Sequence, residues 1–188
     1  GTLTGGQGLA EARERFERAW GAPIPARHGL SLPGMIDAAA AGRLKALWAF
    51  GYDIYQTLPS ATVTARSLGK LELLIVQDLF LNETAKAFGT VFLPAASVFE
   101  RDGTFMNSDR RAQRIRKVVP PVGQAKPDAW IICEIARRLG HADGFAFADA
   151  EAVWNEIRTV WPAGAGLSYR RLERESLHWP CPTENHPG

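Results

Sequence analysis

Apolar and polar positions follow two rhythms along this chain, one of strands and one of helices. Leu73-Leu74-Ile75-Val76 is a short unbroken apolar run. Such a run predicts a strand buried on both faces, as in a parallel sheet. It stops abruptly at Gln77-Asp78. A second apolar stretch, Leu44 and then Ala46 to Phe50, stops at Gly51-Tyr52-Asp53, and a third, Thr90 to Leu93, stops at Pro94. Helical patterns surround these runs. Residues 10–20 carry Phe16 and Trp20 four apart on one face. Ser31 is placed to cap a helix reaching Ala41, with Pro33 in its first turn and Gly42 past its end. The crossover from Tyr52 to Lys70 predicts a loop and a short helix, and Asn82 to Phe88 another short helix that Gly89 ends. Asp128 precedes a helix from Ala129 to Leu139, and Asp149 to Trp161 is amphipathic through Val153, Trp154, Ile157 and Trp161. Residues 99–111 and 118–128 read as loops, the first rich in charge, the second in proline and glycine. Tyr169 to Glu175 reads as a short helix, and Leu177 to Pro182 as extended. Strands alternating with helices indicate the α/β class with a mainly parallel sheet.

This arrangement brings two carboxylates to one place. Parallel strands that end in Asp53 and Asp78 put both on one sheet edge, and ligands bind at the carboxyl edge of open α/β sheets. A carboxylate there accepts two hydrogen bonds, from the N1–H and N2–H₂ edge of a guanine or from two ribose hydroxyls. Each aspartate also reads as a cap of the helix that follows. The repetition favours a nucleotide site more than either residue does alone. Gly51 would let backbone approach a ligand closely.

Composition narrows the classes. The chain has 188 residues, 46% hydrophobic and 22% charged, with net charge +2. This is enough for one domain with a real core. It gives no strong attraction to nucleic acid or membrane. No apolar run approaches transmembrane length, and the N-terminus is not a signal peptide. Cys133 and Cys181 lie far apart and form no CxxC pair, which fits a reducing, cytoplasmic compartment. The GGQG near the N-terminus lacks a following Lys-Ser/Thr and a preceding strand, so residues 1–8 read as a flexible lead-in rather than a phosphate loop. His178, Cys181 and His186 stand at no standard metal spacing, and no metal is expected there. The most basic stretch holds Arg101, Arg110, Arg111, Arg114, Arg116 and Lys117. It reads as a solvated face, with a guanidinium beside a phosphate as the functional alternative. There is no G-x-S-x-G, H-E-x-x-H, P-loop or Rossmann glycine fingerprint.

Four blocks then carry a resemblance: LELLIVQDLFLNETA, FLPAASVFERDGTFMNSDRRAQR, GQAKPDAWIICEIARRLG and LHWPCPTENHPG. In order and spacing they resemble the molybdopterin guanine dinucleotide oxidoreductases, and the last block the formate dehydrogenase catalytic subunit and its nitrate reductase relatives. The resemblance covers nearly the whole chain, clearest from about residue 43 onward. It implies a three-layer α/β/α fold and an internal segment of a large enzyme holding molybdenum or tungsten between two pterin dinucleotides. Such an enzyme would oxidise formate to CO₂ and pass electrons through an iron–sulfur cluster, whose cysteines lie in segments not present here. The expected partners are the remaining domains of the same catalytic subunit and electron-transfer subunits, without nucleic acid or membrane insertion. The isolated chain is expected to be inactive. The expected segments are a helical lead-in at 1–42, a dinucleotide-binding part at 43–162 and an extended linker at 163–188.

Residue by residue, the resemblance implies that Gln77-Asp78 contacts the guanosine end of the dinucleotide. Gly51 and Asp53 match a cofactor-contacting Gly-Glu-Asn/Asp turn. Arg101 stands where a lysine is common and would serve the same cationic role. Asp128 matches a further nucleotide contact. Tyr52 and Ile54 depart from the usual acidic residue and proline of that turn, and Phe88-Gly89 from a usual Ala-Asp. A nitrate reductase-type segment and a catalytically silent interaction module descended from the same family are the alternative readings.

Overall fold

The computed structural model describes residues 2–188. In chain order the strands are β1 (Thr2–Leu3), β2 (Gln7–Gly8), β3 (Ala46–Phe50), β4 (Leu73–Asp78), β5 (Val91–Pro94), β6 (Gly103–Met106), β7 (Arg111–Ile115) and β8 (Leu177–His178). The helices are α1 (Leu9–Trp20), α2 (Leu32–Ala40), α3 (Ile54–Thr57), α4 (Ala61–Leu68), α5 (Glu83–Phe88), α6 (Asp128–Arg138), α7 (Ala150–Val160) and α8 (Tyr169–Leu172). They fall into two compact units whose bounds cut across the three segments read from the sequence. One unit is Gly29–Ser97 with Pro121–Ile131, the other Gly1–His28, Val98–Pro120 and Ile132–Gly188.

The first unit is built on a parallel sheet in the order β3-β4-β5. Phe50 lies opposite Gln77, and Gln77 opposite Leu93, so all three strands finish at one edge. Side chains two apart on a strand share a face. Leu74 and Val76 therefore point the same way, and both are fully buried with Ile36, Ile54, Leu68 and Ala85 from α2 to α5. Leu73 and Ile75 are half-buried. The expectation of equal burial on both faces of β4 is thus corrected to an alternation, because the helical core of this unit packs on the Leu74–Val76 side. The crossover holds two helices, α3 and α4, where one was expected. Ser60 caps α4, its hydroxyl accepting from Val63 N at 3.4 Å. Ser31 caps α2 as its sequence predicts.

The second unit contains an antiparallel sheet in the order β6-β7-β8. Its core joins Trp154, Trp161, Leu167, Tyr169, Leu172, Leu177 and Cys181. One expectation is corrected here. The charged stretch 99–111 is not simply a loop. Arg110 takes φ 63°, and Asn107 Oδ1 accepts from Arg111 N at 2.9 Å, closing a turn between β6 and β7. Ala112 is fully buried, while Arg114 lays its guanidinium 3.6 Å from the Tyr169 ring centroid and bonds Glu173 at 2.8 Å. The strand is amphipathic through an arginine stem, which a charge count does not reveal. The extended reading of the segment after Glu175 holds at β8, which pairs with β7, and Leu177 and Cys181 join the core. The expected flexible lead-in is likewise ordered from residue 2, Gly1 lying outside the described residues. β1 and β2 form a hairpin turning through Gly5 and Gly6 at φ 77° and 74°, and Gln7 Nε2 donates to Val160 O at 2.8 Å.

Candidate functional site

The candidate site is the carboxyl edge of the parallel sheet. Gly51 continues the ladder beyond β3, its N–H donating to Gln77 O at 2.8 Å. It then turns at φ 54°, a left-handed value that suits glycine, with open space where a side chain would stand. On β4, Gln77 is fully buried. Its Nε2 donates to Asp128 Oδ1 at 2.7 Å. The bond crosses 51 residues of sequence but stays in one unit, because residues 94–96 and 126 meet through backbone bonds, Lys126 N to Pro94 O at 3.1 Å and Ala96 N to Lys126 O at 2.8 Å. Helix α6 starts at Asp128 itself. A carboxylate accepts only, so the amide must present its nitrogen to Asp128 and its oxygen away. That oxygen, Gln77 Oε1, is buried and has no hydrogen-bond partner among the described residues.

Asp78 is half-buried and does not cap the following helix. The cap of α5 is Asn82, whose Oδ1 accepts from Ala85 N at 2.9 Å. Asp78 instead holds that cap: its Oδ2 accepts from Asn82 Nδ2 at 2.7 Å, and its Oδ1 from Leu79 N at 2.6 Å. Each oxygen keeps a lone pair for a further donor.

Asp53 is different. It caps α3 through Gln56 N at 3.3 Å, and it also accepts from Glu83 N at 3.0 Å, Thr84 N at 3.2 Å and Thr84 Oγ1 at 2.6 Å. Burial pushes its carboxyl pKa up, but the Thr84 hydroxyl and the Gln56, Glu83 and Thr84 amides together hold it below its ordinary value. Its oxygens are largely taken by the protein, whereas the sequence pattern offered them to a ligand.

The structure therefore brings Gly51, Asp53, Gln77, Asp78 and Asp128 together in one unit, while Arg101, half-buried, belongs to the other. Asn82 and Thr84 are the residues that strand-end reasoning passed over. Their signal was the Asn-Glu-Thr that opens α5, a cap followed by a buried hydroxyl. Elsewhere, His178 Nε2 lies 3.0 Å from Asp109 Oδ2, and Cys181 Sγ accepts from Arg171 Nη1 at 3.2 Å. Among the described residues no helix is long and apolar enough to cross a membrane.

Comparison with known proteins decides the family. The profile of the molybdopterin oxidoreductase family matches residues 13–138, two thirds of the chain. The chain belongs to the molybdopterin oxidoreductase family. It is 41% identical over 98% of its length to the F420-dependent formate dehydrogenase subunit alpha of Methanocaldococcus jannaschii, and covers 27% of that protein. It is 36% identical over 95% of its length to the assimilatory nitrate reductase catalytic subunit of Bacillus subtilis, covering 26% of it. The chain thus spans about a quarter of the curated relatives it matches and is a fragment by that measure. Acetylene hydratase from Pelobacter acetylenicus shares the fold, with a TM-score of 0.66 over 91% of this chain and 24% of that one, at 20% identity.

The family implies a molybdopterin cofactor, and the strand edge can be tested against it. The edge holds two acceptors on opposite faces of β4: the buried, unpartnered Gln77 Oε1 and the half-buried Asp78 carboxylate. Acceptors are the groups that match the donors of a guanine or the hydroxyls of a ribose. They do not suit a bare phosphate, which would need donors or cations.

Proposed function

We propose that this chain is the segment of a formate dehydrogenase-type catalytic subunit that holds the guanosine end of one molybdopterin guanine dinucleotide. The observation that carries the reading is Gln77 Oε1, a fully buried acceptor left without a donor at the strand end that also carries the half-buried Asp78. Burying an unsatisfied acceptor costs about 1–3 kcal/mol, and most such groups in native proteins receive a donor from protein, water or ligand. A guanine or ribose supplies donors. Gln77 and Asp78 accept from it, Gly51 lets backbone come close, and Asp128 engages the Gln77 amide nitrogen, leaving its oxygen as the free acceptor. Arg101 is the cation that the resemblance offers for phosphate or pterin charge.

When bound, the metal–pterin group supplies the two-electron chemistry that takes formate to CO₂ and a proton. The residues of this chain bind and orient; none of them transfers electrons. The remaining domains of the subunit, with iron–sulfur clusters and electron-transfer subunits, complete the enzyme in a reducing, cytoplasmic compartment, and the segment alone oxidises no formate. Formate is favoured over nitrate by the higher identity to the formate dehydrogenase subunit, 41% against 36%.

The test is calorimetric titration of the chain with GMP and GDP, with AMP as control, repeated with Asp78→Ala. Guanine-selective heat that disappears in the variant is expected. Equal binding of AMP, or undiminished binding by Asp78→Ala, overturns the assignment.

A further inference from the structure

Asp53 holds more donors than a helix cap needs. A cap of α3 requires only the Gln56 amide; the other three bonds come from Glu83 and Thr84, 30 and 31 residues further on. Thr84 is fully buried. Its hydroxyl also accepts from Tyr55 N at 2.9 Å. The directions are forced: a carboxylate only accepts and an amide N–H only donates, so the one hydroxyl proton goes to Asp53 and a lone pair receives Tyr55. Two turns are thereby stitched twice, once through the carboxylate and once through the hydroxyl. On the far side of α5's first turn, Asp78 holds the capping Asn82.

We propose that Asp53 and Thr84 are positioning residues that lock the β3–α3 and β4–α5 turns into one piece, so that the Gly51 backbone and the Asp78 carboxylate form a preset edge. What the edge binds rests on the function proposed above; the lock does not. Hydrogen bonds linked through shared atoms reinforce one another, and a preset edge spares the ordering cost of binding. In this arrangement Asp53 acts through Thr84 and the two turns rather than by touching the ligand.

Hydrogen exchange of the 188-residue chain tests the lock directly. Thr84→Val keeps the shape of the side chain and deletes both hydroxyl bonds. The Tyr55 amide loses its partner outright, so the informative amides are Gln56 and Glu83, which bind Asp53 and touch no deleted atom. Both are expected to exchange roughly tenfold faster or more, with β4 amides unchanged as the reference and Thr84→Ser restoring protection. Retained protection at Gln56 and Glu83 overturns the proposal. If Thr84→Val also exposes β4, Asp53→Ala decides: it leaves Thr84 in place but removes the oxygen that accepts its hydroxyl, and the lock requires the Tyr55 amide, two bonds away, to exchange faster. An unchanged Tyr55 amide then overturns it. Titrating the same variants with GMP separates the two readings. No binding by the unaltered chain defeats the ligand assignment alone. Normal binding by a variant whose lock is open defeats the positioning role alone.

Discussion

Replacing Gln77 probes both the fold and the site, because stability and binding should move apart. Gln77→Leu removes one charge-assisted hydrogen bond, that to Asp128 at 2.7 Å, worth about 1.5–3 kcal/mol. It also removes a buried acceptor without a partner, which costs the native fold about 1–3 kcal/mol. The two nearly cancel, so unfolding free energy should change by no more than about 1 kcal/mol. Guanine-nucleotide binding should fall sharply all the same. Gln77→Glu is the contrasting case. The introduced carboxyl is fully enclosed and faces the Asp128 carboxylate. Desolvation and like charge both raise its pKa, to about 7 or above, from about 4.3 in the unfolded chain. A carboxyl raised on folding leaves stability untouched below its unfolded pKa. Stability is then lost as pH rises, by about 1.4 kcal/mol per pH unit until the folded pKa is reached. By pH 7 the deficit against the unaltered protein should approach ~4 kcal/mol, while near pH 4 it should almost vanish. Urea unfolding followed by tryptophan fluorescence, at both pH values and for all three proteins, measures this. An equal deficit at the two pH values, or none, would refute the burial of Gln77 beside Asp128. A Gln77→Leu variant that binds guanine nucleotides normally would refute the role of Oε1.

Two further outcomes follow from the same structure. Asp53 has a folded pKa below its unfolded value near 3.8, so its contribution is present above that value and disappears as pH falls through the depressed folded pKa. Acid titration of urea midpoints should therefore show Asp53→Asn less stable than the unaltered chain at neutral pH, with the gap closing below pH of about 4. In the other unit, a Cβ at position 166 would stand 2.1 Å from Thr183 O, whereas at Gly103 it would meet nothing within 4 Å. Gly166→Ala should cost about 1–3 kcal/mol and Gly103→Ala stay within about 0.5 kcal/mol, read as shifts in thermal midpoint.

The elements whose evidence is local were legible in the sequence. The apolar run at Leu73–Val76, the cap at Ser31 and the helix after Asp149 all depend on neighbours a few residues away, and all stand where their patterns put them. The hairpin over 103–115 was not legible, since its buried face is made of Ala112 and the stem of Arg114 lying on Tyr169. A pattern scored by charge reads those residues as solvated. The C-terminal segment was hidden for a related reason: what orders it is β7 and the Trp154–Trp161 core, distant in sequence.

The strand-end aspartates show the limit most sharply. Asp53 and Asp78 each follow a buried strand and precede a helix, so pattern alone treats them alike. What separates them is the number of donors that the rest of the unit sends to each: four reach Asp53 and two reach Asp78. Three of the four come from across the sheet edge, and no local rule counts them. A carboxylate already supplied by its own protein has little left to offer a ligand but much to fix in place. One that is half supplied keeps lone pairs for a further donor, as the function proposed above requires of Asp78. The chemistry of the edge is thus divided between a residue pair that would bind, Gln77 and Asp78, and a pair that sets their surroundings, Asp53 and Thr84. The variants described above separate these roles because each pair leaves a different trace, in binding for the first and in amide protection for the second.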